Sequence, residues 1–563
     1  MFDLLAPYFS RTEIIADLIL LAFLVFAFWM PLFADKAFRT VEGFGTHVAQ
    51  RKSFAIASIA FVAIIVRLAL MPWLPVPTPK IHDEFGYLLA ADTFAHGRLT
   101  NPTHAMWVFF DTIHVNQHPT YMSKYPPAAG MVLALGQLLG NPWIGAVLGA
   151  AGMCAAVLWM LQGWLPPRWA LLGATLVLLR LSIFTYWMNS YWGGAISAIG
   201  GALVVGALPR ILHRCRARDA IMLGLGAAVL ANSRPFEGLI LCLPVFAVLA
   251  VWLLRKNSSA WRVTLTRFVL PLGAVALLCG LFMAYYNWRG TGNPLLFPYV
   301  LNQRTYERTP AFVWQKAEPP LQYLNPQFDY FYNHWERDYW AYSRVYSLQT
   351  AIRHLRSIVP RFVRFFAWPE LCVPLITLPW LFRSRRFQFL GAQAGLCFLG
   401  SYCVIWFLPH YAAPAVATVF ALLTQSIRYL RHWQFKGRPV GIGLSRVVVL
   451  FAAVLAPFHQ DRATIGFPPE DIEYRAGIVA QLNSLPGKQL VIVRYPETDD
   501  EISEWVFNGA DIDHAKVVWA REIPGVSIKP LLDYFKDRRL WLVEPGILPV
   551  ELESYSPPSP GPQ

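Results

Sequence analysis

The adjacent carboxylates of Asp83 and Glu84 are the residues best suited to acid–base chemistry. A carboxylate at a water–membrane boundary can accept a proton from a hydroxyl group. Successive helix residues point about 100° apart, so both carboxylates cannot aim at one atom. At most one of them is a catalytic base, and the other would position a substrate, bind a metal or cap the helix. Capping is an alternative explanation for both residues. Asp83 suits the N-cap and Glu84 the first turn of a helix that runs to about His96, where free N–H groups and the helix dipole favour carboxylates.

The segment that follows ends in the sequence KYPP and is rich in polar side chains. Lys124, at the start of KYPP, could offer a point charge to a lipid-linked phosphate, or it could anchor the chain at a membrane interface. Histidines could bind a divalent metal together with Asp83 or Glu84, but their spacing matches no standard ligand motif. A divalent metal is therefore left open and no ligand is assigned. The histidines are His82, His104, His114 and His118.

Charged residues elsewhere give further candidates. Arg234 and Glu237 follow a short apolar segment, where they would line a cavity or form an ion pair at the interface. Arg289 and Arg304 lie among aromatic residues, a composition that could clamp phosphate and stack on sugar, although aromatic residues are also ordinary at membrane interfaces. Arg180 lies within an apolar run, where a charge indicates function unless its side chain reaches outward.

The composition indicates a membrane protein. Of 563 residues, 56% are hydrophobic and 15% are charged, against roughly 45–50% and 25% in soluble domains. This balance excludes a soluble enzyme, a disordered chain and a fibrous repeat. The net charge of +14 fits cytoplasmic loops that face anionic lipid better than a nucleic-acid surface. The seven cysteines form no CxxC pair, so neither a disulfide framework nor a zinc ribbon is expected.

Twelve apolar segments are predicted to span the membrane, because a spanning helix needs about 20 apolar residues. Lysine and arginine are concentrated in alternate connecting segments, which the positive-inside rule places in the cytoplasm. The termini and the long segments 74–142 and 287–360 then lie outside. The predicted spans are 14–34, 53–73, 143–163, 168–187, 193–210, 219–232, 238–254, 265–286, 361–382, 387–408, 412–430 and 441–458.

The tail from residue 459 has a different pattern. Short apolar runs at 489–493, 515–519 and 540–543 alternate with helix-like stretches, which predicts a small α/β domain outside the membrane. Residues 554–563 are rich in proline, serine and glycine and are predicted to be disordered. Three domains are therefore expected. Residues 1–52 form an additional first span with a cytoplasmic loop, residues 53–458 form the membrane domain, and residues 459–563 form the extracytoplasmic domain with its disordered end.

The first outer segment resembles the GT-C superfamily, polytopic glycosyltransferases that use polyprenyl-phosphate sugars. The resemblance rests on the acidic pair, the stretch YLLAADTFAHGRLTNP and the KYPP step, and it covers about residues 53–430 in layout. It is closest to the protein-mannosyltransferase-like and the bacterial aminoarabinose-transferase-like families. The resemblance implies that Asp83 is the catalytic aspartate and that Lys124 lies near the donor phosphate.

Two later outer segments extend the resemblance. PHYAAP at 409–414 resembles a late outer turn of the family, whereas NSYWGG at 189–194 lacks the acidic residue that many relatives have there. The additional first span also departs from the usual layout. His118, Arg289 and Arg304 are predicted to join Lys124 at the donor phosphate. The predicted substrate cavity contains Tyr87, Asn189, Tyr191, Arg234, Glu237, His410 and Tyr411.

The sequence as a whole predicts an inverting glycosyltransferase. It would move a sugar from a polyprenyl-phosphate donor to a lipid, protein or glycan acceptor on the outer face of a bacterial inner membrane, with no nucleic-acid partner. Phosphate leaves as an anion, so cations or a metal suffice at the leaving group and no general acid is required. A transporter or flippase of lipid-linked sugars is the alternative; it would show inverted repeats and ionisable residues near the middle of the membrane. A non-catalytic scaffold that recruits partners through its tail is a third hypothesis.

Overall fold

The computed structural model describes residues 11–255, 261–367, 369–458, 472–496 and 504–556. Among these residues, six helices are long and apolar enough to cross a membrane. Leu348–Phe366 and Glu370–Leu381, bent by 103° at a short break, add a seventh if they form one span. This is the architecture of a multi-pass α-helical membrane protein. The six helices are Lys52–Ala69, Pro142–Trp164, Ala195–Arg214, Pro235–Leu254, Trp261–Thr291 and Val440–Phe458.

The prediction of twelve spans is not confirmed. Several of the predicted spans coincide with helices that are too short or too interrupted to qualify. The predicted span 219–232 is the 15-residue helix Ala217–Ala231, and the span 412–430 is the 16-residue helix Val416–Arg431. Apolar composition therefore identified helical segments, but it could not show where each helix begins and ends.

The helices before residue 459 are numbered in chain order. Some are continued by short 3₁₀- or π-helical turns, such as Leu178–Ser182 and Pro409–Ala415. The helices are α1 Arg11–Trp29, α2 Asp35–Gln50, α3 Lys52–Ala69, α4 His82–Ala95, α5 Pro127–Leu138, α6 Pro142–Trp164, α7 Pro167–Val177, α8 Tyr186–Asn189, α9 Ala195–Arg214, α10 Ala217–Ala231, α11 Pro235–Leu254, α12 Trp261–Thr264, α13 Leu270–Thr291, α14 Pro298–Thr305, α15 Pro326–Phe328, α16 Glu336–Ser343, α17 Leu348–Phe366, α18 Leu378–Leu381, α19 Arg385–Cys403, α20 Val416–Arg431 and α21 Val440–Leu455.

The short helix α5 is held against the central helix α6 by glycines. A Cβ atom built on Gly136 would lie 2.2 Å from the backbone nitrogen of Gly145, and one built on Gly145 would lie 2.2 Å from the Val132 carbonyl oxygen. Small residues allow helix backbones to approach this closely. The crossing fixes α5 and, with it, the KYPP step that precedes α5.

A buried arginine at the end of α3 fixes the start of the first outer segment. Arg67 donates hydrogen bonds to the carbonyl oxygens of Leu74 and Pro75, at 2.7 and 3.0 Å, and to Asn189 Oδ1 at 2.8 Å. The segment continues through α4 into a three-stranded antiparallel sheet of order β1-β3-β2. The strands are β1 Asn101–Pro102, β2 Val115–Asn116 and β3 Thr120–Ser123, and β3 leads directly to Lys124.

Residues 472–556 contain a four-stranded sheet of order β5-β4-β6-β7, in which the first three strands are parallel. The strands predicted from the sequence are present, shifted by up to two residues. The division into three domains stays a prediction, and its boundary at 459 lies outside the described residues. The end of the chain, 554–563, was predicted to be disordered, but Ser554 belongs to the last strand of this sheet and Tyr555 is buried; residues 557–563 lie outside the described residues. The elements are α22 Ile472–Ser484, α23 Lys529–Tyr534, β4 Gln489–Val493, β5 Val517–Arg521, β6 Arg539–Val543 and β7 Glu553–Ser554.

Candidate active site

A cavity of about 370 Å³ lies where the first outer segment meets the beginnings of α11 and α16 and the segment 404–411. Six of the residues predicted for the site line it. The structure therefore gathers, from four separate parts of the chain, a base candidate, two cations and two aromatic rings. The six residues are Asp83, Tyr87, Lys124, Arg234, Glu237 and Tyr411.

The Asp83 carboxylate lies in the first turn of α4 and forms part of the cavity wall. It accepts a short hydrogen bond from the Tyr125 hydroxyl group. The Nε2 atoms of His82 and His114 lie 3.4 and 3.9 Å from its two oxygens. Burial holds the pKa of Tyr125 well above its ordinary value, so Tyr125 stays a hydrogen-bond donor and orients the carboxylate.

The two histidines beside Asp83 are held in their neutral form. Burial lowers the pKa of His82 and lowers that of His114 further. His114 also has a backbone φ of 67°, a left-handed conformation that few non-glycine residues adopt. Its Nδ1 atom is buried and has no hydrogen-bond partner among the described residues.

His82, Asp83 and His114 could hold a metal ion. One ligand atom from each lies within 4.8 Å of the others, and neutral imidazoles and a carboxylate are the groups that bind Zn²⁺ and similar divalent ions. A bound divalent cation would supply Lewis-acid stabilisation of a phosphate oxygen.

Glu84 does not reach the cavity, and the capping explanation applies to it. Its carboxylate accepts hydrogen bonds from the backbone N–H groups of Lys80 and Tyr191, at 2.8 and 3.1 Å, and of Ile81 at 3.3 Å. Burial raises its pKa to about 7. Glu84 therefore joins the start of α4 to the NSYWGG stretch at 189–194, and its position gives no support to the prediction that it is catalytic.

Asn189 and Tyr191, both predicted in the cavity, connect the same two segments. Asn189 accepts from Arg67, and the Tyr191 hydroxyl group donates to the Pro77 carbonyl oxygen at 2.9 Å. Both residues lie outside the cavity wall. Hydrogen bonds from the NSYWGG stretch thus hold the residues that lead into α4, outside the cavity wall.

Lys124 forms a buried ion pair with Glu307. Its Nζ atom lies 2.7 Å from Glu307 Oε1, and 4% and 7% of the two side chains are exposed. Glu336, which also lines the cavity, accepts from the Thr309 hydroxyl group at 2.7 Å. Burial, with the nearby Glu307 charge, raises the pKa of Glu336 to about 8. The charge of Lys124 is therefore balanced by Glu307 within the protein, whereas burial favours the protonated form of Glu336.

Arg234 is the second cation of the cavity. It precedes α11, and its guanidinium lies 4.0 Å from the centre of the Tyr411 ring and 4.0 Å from the Glu237 carboxylate. Ser233, Pro235 and Phe236 line the same wall. The start of α11 therefore faces the cavity, and helix N-termini favour anions.

Besides Glu84, Asn189 and Tyr191, four more predicted residues are not brought to the cavity. His118 lies at the exposed turn between β2 and β3 with its ring 4.6 Å from that of Trp107, and Arg289 is exposed at the end of α13. Arg304 is exposed on α14. His410 is buried and lies 3.0 Å from the Tyr186 hydroxyl group, behind the cavity wall.

The sequence did not indicate several residues of the site. Glu307, which pairs with Lys124, and Glu336, which lines the same cavity, lie more than 180 residues after Lys124 in the sequence. The rings of Trp335 and Trp406 stack with their centres 5.1 Å apart. Tyr125 was visible as part of KYPP, but its bond to Asp83 depends on the tertiary fold. A pattern of residues that are adjacent in sequence does not predict contacts between distant parts of the chain.

No protein-family model and no curated protein sequence matches the chain. Solved structures are similar to it at low identity. ArnT from Cupriavidus metallidurans, apo, is 12% identical with a TM-score of 0.44, over 87% of this chain and 92% of that one. The oligosaccharyltransferase of Archaeoglobus fulgidus, solved with Zn and sulfate, is 13% identical with a TM-score of 0.47, over 87% and 67%. The arabinofuranosyltransferase AftD from Mycobacteria is 12% identical with a TM-score of 0.40, over 87% and 35%.

Identities of 11–13% with TM-scores below 0.5 do not fix the activity of this chain. The function is argued below from its own residues.

Proposed function

We propose that the protein is an inverting glycosyltransferase that moves a sugar from a polyprenyl-phosphate donor to an acceptor hydroxyl group on the outer face of a bacterial inner membrane. The observation that carries this proposal is the position of Asp83, whose carboxylate lies in the cavity wall and is held by the Tyr125 hydroxyl group. Arg234 lies in the same cavity and supplies a cation for the departing phosphate.

Asp83 acts as the general base in this mechanism. The acceptor oxygen forms a bond with the anomeric carbon of the sugar while the bond from that carbon to the phosphate oxygen breaks. The hydroxyl proton passes to the Asp83 carboxylate, and polyprenyl phosphate leaves with the electron pair as an anion. A single displacement of this kind inverts the anomeric centre. The leaving anion needs cations rather than a proton donor.

The phosphate contact is assigned mainly to Arg234 rather than to Lys124. Arg234 pairs with Glu237 only at 4.0 Å, whereas Lys124 pairs with Glu307 at 2.7 Å in a buried setting. Arginine also matches phosphate with several N–H groups at once, and the beginning of α11 adds backbone N–H groups at the same wall. The polyprenyl tail would lie in the bilayer and the acceptor, a lipid, protein or glycan, would enter from the outer solvent.

Replacement of Arg234 tests the phosphate assignment. In purified protein reconstituted in liposomes and supplied with a panel of radiolabelled polyprenyl-phosphate sugars, Arg234→Ala is expected to raise the donor KM roughly 10- to 100-fold, since a hydrogen bond to a charged group contributes about 1.5–3 kcal/mol. The donor KM of Arg234→Lys should lie between that of Arg234→Ala and that of wild type. The matched control is Arg289→Ala, an exposed arginine outside the cavity. An unchanged donor KM in Arg234→Ala would remove Arg234 from the phosphate site.

The candidate metal site makes a separate prediction. Titration of the purified protein with Zn²⁺ or Mn²⁺, followed by calorimetry, is expected to show one bound ion, and His114→Ala should weaken its binding at least tenfold because one of three ligands is lost. His96→Ala is the matched control. This exposed histidine also lies near an aspartate of α4, Asp92, at 3.3 Å. Equal binding by wild type and His114→Ala, or no binding by wild type, would contradict the site.

A further inference from the structure

The face of α4 opposite Asp83 is covered by the sheet-containing part of the chain that follows residue 471. At 100° per residue, Phe85, Leu89 and Asp92 are separated from Asp83 by about 160°, 120° and 180° around the helix axis, whereas Tyr87, which lines the cavity, is separated by only about 40°. Leu89 belongs to one buried apolar cluster with Leu490, Val518 and other residues of that sheet. The helix that carries Asp83 therefore has the cavity on one side and the C-terminal residues on the other.

An aromatic and cationic stack forms the centre of this contact. The rings of Phe85 and Phe507 are nearly parallel, at 8°, with centres 3.8 Å apart, and both residues are buried. The Arg475 guanidinium lies 4.7 Å from the ring centre of Phe85 and 4.7 Å from that of Trp519. Arg475 also donates to the carbonyl oxygen of Trp505 at 3.2 Å. Stacked rings and a desolvated guanidinium are directional contacts, so they restrict rotation of α4 as well as covering it.

A second contact lies two turns further along the same face. The Asp92 carboxylate accepts from the Ala510 backbone N–H group at 2.6 Å and from Gln137 of α5 at 2.7 Å. Tyr121, in β3, donates to the Asn508 carbonyl oxygen at 2.9 Å. Gly509 lies so close that an added Cβ atom would be 2.8 Å from Asp92 Oδ2. Residues 504–510 therefore bind both α4 and the sheet that precedes Lys124.

We propose that residues 504–510 and Arg475, named here the clamp, position α4 so that the Asp83 carboxylate meets the acceptor hydroxyl group. This inference rests on the proposed function, in which Asp83 is the base. Phe507 and Arg475 are positioning residues and touch no substrate. The clamp acts through the helix, because a rotation or shift of α4 moves the carboxylate relative to Tyr125 and the cavity. Misplacement of a reacting group by about 1 Å can reduce a rate by about 10²-fold.

The clamp assigns the C-terminal sheet a role distinct from acceptor binding. An acceptor-binding module would present its residues to the cavity, but the described part of the chain after residue 471 contributes none of the residues in the cavity wall. Its contacts with the segment 74–142 instead include those on the back of α4. Loss of the clamp should therefore lower kcat and leave the donor KM nearly unchanged.

The test compares Phe507→Ala with Tyr474→Ala, an exposed aromatic residue on the same part of the chain. In the full-length protein, Phe507→Ala is expected to lower kcat at least tenfold with the donor KM within threefold of wild type, and Phe507→Tyr, which keeps the stacked ring, should restore most of the rate. Tyr474→Ala should have the kcat and the donor KM of wild type.

Hydrogen–deuterium exchange gives a readout that does not depend on activity. The amides of 82–95 should exchange faster in Phe507→Ala, while those of β4 and of α6 stay protected.

A second variant keeps the inference testable if Phe507→Ala disturbs the sheet. Gly509→Ala places a methyl group against Asp92, and Gly477→Ala, where an added Cβ meets nothing within 4 Å, is its control. The clamp is supported if Gly509→Ala, but not Gly477→Ala, shows faster exchange at 82–95 and a kcat at least threefold lower than wild type. Unchanged exchange at 82–95 in both Phe507→Ala and Gly509→Ala would overturn it, whether or not the wild type transfers sugar. Clamp-dependent exchange in a protein inactive with every donor would instead refute the proposed function alone.

Discussion

Asp83→Asn is expected to lower sugar transfer by roughly 10²- to 10⁴-fold, the range that a positioned general base contributes. The amide is nearly isosteric with the carboxylate and can still accept from the Tyr125 hydroxyl group, so the geometry of the wall should survive while the proton acceptor is lost. The donor KM should change little, since the phosphate is assigned to Arg234. Initial rates of reconstituted protein, with expression and thermal stability measured beside them, give the comparison.

The matched control for this variant is Asp329→Asn. Asp329 lies in the segment 287–360, but its side chain is 46% exposed and lies outside the cavity. This change should leave the rate within about twofold of wild type, the effect of an ordinary surface substitution being below about 0.5 kcal/mol. A well-folded Asp83→Asn protein that transfers sugar at the wild-type rate would end the proposal that Asp83 is the base.

Local sequence patterns were sufficient for the helix that carries the base. The acidic pair before an apolar stretch predicted a helix over 83–96, and the structure has α4 at His82–Ala95. The predicted capping residue was wrong in detail, because Glu84, not Asp83, accepts the free backbone N–H groups. Which of two adjacent carboxylates faces the cavity depends on the rotation of the helix. That rotation is set by Phe507 and Tyr125, which no local pattern reveals.

Contacts between distant parts of the chain explain most of what the sequence could not predict. Arg289 and Arg304 are cationic and close to aromatic residues, the pattern expected of a phosphate site, yet both are exposed outside the cavity. Glu307, in the same segment, instead reaches Lys124 and balances its charge. Composition and spacing report which residue types are near one another in sequence, whereas the site is selected by the packing of α4, α11 and α16 around one cavity.

Lys124→Met is expected to destabilise the protein by about 3–5 kcal/mol, because it leaves the Glu307 charge buried without its partner. Thermal unfolding in detergent, followed by intrinsic fluorescence, should show a clearly lowered Tm. The matched variant is Lys124→Met combined with Glu307→Gln, which removes both charges together. A buried ion pair replaced by neutral residues of similar size is often neutral or stabilising, so the double variant should recover most of the lost stability.

The double variant also separates the two roles considered for Lys124. If the lysine serves chiefly to balance Glu307, the folded double variant should bind the donor with a KM within threefold of wild type, and Arg234→Ala should remain the more damaging change. A stable double variant with a donor KM raised tenfold or more would place Lys124 at the phosphate, as the KYPP resemblance implies. A double variant as unstable as Lys124→Met would show that the ion pair itself, rather than the unpaired charge, stabilises this wall of the cavity.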